Sequence, residues 1–234
     1  MRTFLIAVVA IAGLAGSADA ATRNFAITSF DKVRIEGPYK VRLSTGVAPF
    51  ASATGSQSGL DAVAIEMRGN TLVIHGSSSS WGGYPGQTGG PVEINLGTHD
   101  LSAAWITGSG ALTIDKAKGL SFDLSVQGSA AASIGRADVD QLSIAVVGTG
   151  SAALAGQARK VTAVVRGISS LDAANLAAKD ATLGVEGTAT VAANVSDSVT
   201  VDGNGPITVR LRGGPACTLR VSGSASVTGC KTVQ

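Results

Sequence analysis

A glycine recurs through the second half of the chain at nearly fixed spacing, and no other feature restricts the fold as much. Taking Gly108, Gly128, Gly148, Gly167, Gly187, Gly203 and Gly223 as anchors, the intervals are 20, 20, 19, 20, 16 and 20 residues. Two positions before each anchor stand Ile106, Val126, Val146, Val165, Val185, Val201 and Val221; four before stand Ala104, Leu124, Ile144, Ala163, Leu183, Val199 and Leu219. Four positions after come Leu112, Ala132, Ala152, Leu171, Val191, Ile207 and Val227, and six after come Ile114, Ile134, Leu154, Ala173, Ala193, Val209 and Gly229. Alternation by two is the period of a strand. Each copy therefore reads as a strand, a glycine corner, a second strand and a longer turn.

A unit of about 20 residues cannot bury its apolar face alone, so the copies must stack. The expected fold is all-β: a single-stranded parallel β-helix, or β-solenoid, with rungs about 4.8 Å apart and a rod section about 30 Å long. The interior must be narrow and aliphatic, because only 4% of the chain is aromatic and no aromatic follows Phe122. Ser143, Thr162, Thr182, Thr200 and Thr208 fall between inward positions and form the solvated face. Immediately before their anchors, Arg166, Glu186 and Asp202 are expected on adjacent rungs, with Arg166 stacked over Glu186.

Residues 101–234 make up the regular solenoid, and residues 21–100 a less regular β portion of the same domain. There, Val33 and Ile35 before Gly37, with Val41 and Leu43 after it, follow the anchor pattern; Val63, Ile65 and Met67 before Gly69 nearly do, with Leu72 and Ile74 following. These read as wider or capping turns. The stretch from Ser77 to Gly90 is too rich in Ser and Gly for a strand and reads as a loop. Its Trp81 and Tyr84 are candidate contacts for a sugar or protein partner, with packing against the solenoid end as the equal alternative.

Residues 1–20 combine Arg2, an apolar run from Phe4 to Leu14 and the small-x-small site Ala18-Asp19-Ala20. That is the pattern of a signal peptide, the alternative being an uncleaved anchor. The expected mature chain begins near Ala21, carries no transmembrane segment, and lies in the periplasm or at the cell surface. An exported chain meets an oxidising compartment, so Cys217 and Cys230 are read as a disulfide clipping the C-terminal end; the competing readings are two free thiols and a zinc pair, which lacks further ligands nearby.

The opening Phe30-Asp31-Lys32-Val33-Arg34-Ile35-Glu36-Gly37, the segment Asn70-Thr71-Leu72-Val73-Ile74 and the recurring Gly-Ser-Gly turns resemble the putative auto-transporter adhesin head GIN domain family. The resemblance extends from Phe25 to Gly229. It implies an exported bacterial protein of β-helical fold with a role in adhesion, and it supplies no catalytic residues.

The formal charge is +2, too balanced to draw in nucleic acid through a whole-molecule field. The glycine turns lack the Lys-Ser or Lys-Thr of a phosphate-binding loop. Asp115, Asp138, Asp140, Asp172, Asp180 and Asp197 fall at different offsets from their anchors, unlike the stacked carboxylates of a Ca²⁺-dependent lyase. The only histidines, His75 and His99, lie outside the regular repeats, and no Gly-x-Ser-x-Gly elbow is present. The residues thus point to a non-catalytic structural or adhesion module of the cell envelope, needing no cofactor or metal, with an envelope glycan or protein as partner and self-association through its ends as a further option. The competing reading is a polysaccharide lyase or hydrolase on a β-helix.

Overall fold

The computed structural model describes residues 21–77 and 90–231. Residues 1–20, read above as a signal peptide, and Trp81 and Tyr84 lie outside these residues. Sixteen strands join into one hydrogen-bonded network, with a single five-residue helix. The regular coils are β8 (Ala103–Gly108), β9 (Ala111–Gly128), β10 (Ala131–Gly148), β11 (Ser151–Gly167), β12 (Ser170–Gly187), β13 (Thr190–Asn204), β14 (Thr208–Arg212), β15 (Ala216–Ser222) and β16 (Ser226–Thr228). All pair in parallel with the coil before them, and all but the terminal β15 and β16 also with the coil after, as a β-solenoid requires.

Burial along one coil gives its cross-section. In β10, Ala132 and Ile134 are buried, then Ala137 and Val139, then Leu142, Ile144 and Val146, with outward doublets at Gly135–Arg136 and Asp140–Gln141. Each coil therefore has three faces, and the stretch expected as a long turn is a third short strand. Asp138 pairs with Gln157, and Val139 with Ala158, in the same parallel ladder.

The anchors are glycines because the coils approach closely at that corner. A Cβ on Gly148 would lie 2.7 Å from the carbonyl oxygen of Gly128, and φ there is +112°. No other residue adopts that conformation without strain. One expected anchor is corrected. Gly205, with φ +106° and its Cβ position 2.9 Å from the Gly187 carbonyl, occupies the corner, whereas Gly203 pairs with Val185 and Val221 on the inward row. The interval of 16 residues becomes 18, and the next also becomes 18. Val201 and Val209 consequently move one inward position along, opposite Leu183 and Val191.

The same shift alters the outward charge column. Arg166 does meet Glu186, its Nε lying 3.1 Å from Oε2. The next residue over Glu186 is Asn204, while Asp202 sits over Gly184 and pairs with Arg220 at 3.8 Å. Because both side chains of the Arg166–Glu186 pair are more than half exposed, reversal by Glu186→Lys should cost only about 0.2–1 kcal/mol. Thermal melting checks this; loss of the cooperative transition would give Glu186 a structural role the pair does not account for.

The N-terminal portion is built out of sequence order. Strands β2 (Lys32–Glu36) and β3 (Lys40–Thr45) form a coil against β8 and β9, turning at Gly37 with φ +126°. The chain then runs outward through β4 (Phe50–Gly55), helix α1 (Gln57–Asp61) and β5 (Val63–Arg68), and returns as β6 (Thr71–Gly76) and β7 (Glu93–Thr98). Strands β6 and β7 stack in parallel on β2 and β3, so the outer coil comes later in sequence than the one it covers. β5 pairs antiparallel with β6 across a turn at Gly69, φ +61°. Gly69 is therefore a hairpin residue and not a coil anchor.

Antiparallel strands and α1 close this end. β1 (Ala21–Phe25) pairs with β4, and β4 with β7. Ser56 caps α1 by accepting the Gly59 N–H at 3.1 Å, and Leu60 is fully buried against the core. Arg23 reaches from β1 to the Leu60 carbonyl and to Asp61, holding that exposed carboxyl below the usual carboxylate range.

At the other end, Cys217 and Cys230 form the expected disulfide, with a Cα–Cα distance of 5.7 Å. Closing a loop of this size stabilises by about 3 kcal/mol in the chain-entropy model. Coils contact only their neighbours, so the effect belongs to the last coil. Cys217→Ser should speed amide exchange across Ala216–Thr228 while leaving β10 and β11 protected. Unchanged exchange in that segment under oxidising conditions would remove the clip's role.

Candidate functional site

The third face carries a groove of about 720 Å³ that crosses five coils. Its floor is an outward column of Lys118, Asp138, Gln157, Ala177 and Asn194, each in register with the next. Its rim is the adjacent corner, where Asp140, Arg159, Lys179 and Ser196 project. The floor is lowest at Ala177, whose side chain is the smallest in the column.

The polar groups form a short ladder along the axis. Gln157 donates through Nε2 to Asp138 Oδ1 at 2.7 Å. Arg159 approaches Asp140 at 3.8 Å, and Lys179 approaches Asp197 at 3.7 Å. Lys118 has no ion-pair partner among the described residues. These pairs are solvent-exposed and held loosely, so a ligand can exchange with them at small cost. Amide, carboxylate and cation repeat at the coil spacing of about 4.8 Å, which suits an extended, repeating ligand better than a compact one.

A local irregularity adjoins the groove. The coil from Gly148 to Gly167 is one residue shorter than its predecessor, and the residue is lost on the third face, where pairing shifts between Ile134 and Ala137. Gly156 absorbs the bend with φ +119°; its Cβ would lie only 2.1 Å from the Ala137 carbonyl.

The remaining sequence candidates are dispersed. Asp115 accepts the Thr45 and Lys116 N–H groups, Asp172 accepts from the Ala174 N–H, and Asp180 accepts from Ser198. Among the described residues, no three His, Cys, Asp or Glu side chains converge as a metal site would need. His75 lies on the N-terminal hairpin, with Nδ1 2.8 Å from the Gly76 carbonyl and Nε2 3.5 Å from Glu66. His99 lines a smaller depression of about 230 Å³ with Asp100, Lys116 and Lys118, adjoining the groove at Lys118. Only Asp138 and Asp140 of the six aspartates line the groove. No described helix is long and apolar enough to cross a membrane.

Solved structures share the whole fold. A protein described as a putative adhesin from Bacteroides fragilis superposes with a TM-score of 0.82 at 18% identity, covering 90% of this chain and 97% of its own. A second, from Parabacteroides distasonis, gives 0.68 at 17% identity, with 91% and 97% covered. A third, also from Parabacteroides distasonis and described as a putative lipid binding protein, gives 0.61 at 20% identity, again covering 91% and 97%. No curated protein matches the sequence. The family model for the "putative auto-transporter adhesin, head GIN domain" matches residues 29–215, which takes in the N-terminal coils, the groove and every regular coil up to β15. The glycine-cornered solenoid described above is thus that domain, and the chain belongs to the auto-transporter adhesin head GIN domain family.

Proposed function

We propose that the chain is an exported, non-catalytic binding module of the bacterial cell envelope, and that the third-face groove holds an extended stretch of envelope glycan or protein. The groove carries this reading: Lys118, Asp138, Gln157, Arg159, Lys179 and Asn194 present donors and acceptors over five coils, in a surface about the length of a short polymer segment. The adhesin description of its family and of its structural neighbours supports it. Trp81 and Tyr84 are a second, separate contact in this proposal.

The test is a screen of the mature protein against envelope glycans and polysaccharides that follows binding and product release together. Binding without product, weakened by Arg159→Ala and Lys179→Ala at unchanged melting temperature, is the expected result. Product release would replace the module with a carbohydrate-active enzyme. Binding that ignores the groove variants but is lost in a Trp81→Ala, Tyr84→Ala double variant would move the contact to those aromatics.

A further inference from the structure

The two ends of the solenoid differ. The N-terminal end is closed by β1, β4, β5 and α1, whereas the last coil has nothing beyond it among the described residues. β15 pairs only with β13, and β16 only with β14. The inward residues of β15 are consequently in water: Leu219 is 45% and Val221 is 39% exposed, although the residues in register beneath them, Val201 and Gly203, are buried. The disulfide and a hydrogen bond from the Lys231 N–H to the Pro215 carbonyl, 2.9 Å, close the coil at one corner. They leave the edge from Thr218 to Ser222 open. An open edge offers unpaired N–H and C=O groups to any strand that fits.

Charge selects among the occupants. From Gly203 to Lys231 the sequence holds four cations, Arg210, Arg212, Arg220 and Lys231, and no carboxylate, in a chain whose net charge is only +2. Arg220 leans on Asp202 in the coil beneath, and its other side lies on the edge that no described strand pairs. A second copy meeting end to end would bring like charges together. A second copy meeting head to tail would meet the closed end.

We propose that the C-terminal coil is a docking edge for an extended acidic segment of another protein, which adds to β15 as one more strand. Alternate apolar residues of that segment cover Leu219 and Val221, and an acidic residue between them continues the Asp202–Arg220 ladder. The matched family region ends at residue 215, so this edge belongs to the part of the chain outside it.

The probes are two labelled twelve-residue peptides with valine at alternate positions and threonine between, one carrying glutamates and the other lysines. Against the mature disulfide-bonded protein, the glutamate peptide should bind at least tenfold more tightly by fluorescence anisotropy and slow amide exchange at Thr218–Ser222. Arg220→Glu should invert the preference. If that variant melts early, Arg212→Glu, off the strand, must shift it in the same direction. Equal affinities, no binding of either peptide, or loss of binding in Arg159→Ala would overturn the proposal. So would concentration-dependent dimerisation that protects the same strand without peptide, which would make a second copy the occupant. Glycan binding by the groove is read separately and can fail without affecting this result.

Discussion

Truncating Phe122 to Ala should destabilise the protein by about 3–5 kcal/mol, the range for emptying a fully buried aromatic site. Phe122 is completely inaccessible and is the last aromatic in the sequence. Its coil carries Ala117 on the third face, and the next coil carries Ala137 there, both also inaccessible. One large ring thus stands in for what two small residues leave unfilled. Ala117 and Phe122 are held in parallel register with Ala137 and Leu142 of the next coil, so the site has little freedom to collapse. For a chain of this length the loss corresponds to a fall in melting temperature of about 6–20 °C. Because each coil is held only by its neighbours, the weakened coil should also split the transition, the N-terminal coils and the C-terminal stack melting apart. Calorimetry reads both effects. Phe122→Leu, which preserves most of the volume, should recover all but about 1.5 kcal/mol. A drop of only a few degrees for Phe122→Ala would mean that the interior relaxes into the space, against the rigidity that the ladders impose.

How far the sequence revealed this molecule follows from where the repeat is strict. Two faces flank the glycine corner, and their inward residues keep constant offsets from it. Ile106, Val126, Val146, Val165 and Val185 are all buried in one column, as their spacing predicts. The third face escaped because its inward residues drift. Along one inward column Val139 falls eleven residues after its anchor, Ala158 ten, Ala178 eleven and Val195 eight, each change matched by a break in ladder register. Alanines there also look like ordinary loop residues. The groove lies on that face, so its lining could not be assembled from fixed offsets. Asp138 and Gln157 stand at offsets ten and nine, and only the paired register brings them into one column. The out-of-order N-terminal coil was hidden for another reason. Val63 to Ile74 matches the anchor pattern locally, and only long-range pairing distinguishes a hairpin at Gly69 from a coil corner.

The displaced anchor makes the second large prediction. In the coils of Val146, Val165 and Val185, a valine two residues before the corner glycine is followed two residues after it by Gly150, Ser169 or Ala189. In the coil cornered by Gly205 the sizes are exchanged: Gly203 takes the valine position and Ile207 the small one. Ile207 is 1% exposed, and its Cδ1 would lie 2.2 Å from a Cβ on Gly203, so the isoleucine fills the volume that the glycine vacates. Ile207→Ala alone should cost about 2–5 kcal/mol as a buried cavity. Gly203→Val alone should cost about 1–3 kcal/mol through overpacking against Ile207. Gly203 does not have the positive φ of the corner glycines, so a valine there meets no backbone objection. The double variant restores the valine-and-alanine arrangement of the Val185 coil and should be more stable than the sum of its parts by about 1–3 kcal/mol, a coupling of the size seen between residues in contact. Chemical denaturation of the four proteins in the cycle measures it. Strict additivity would mean that the two sites do not share one volume, and that the shorter coil is accommodated by backbone movement instead.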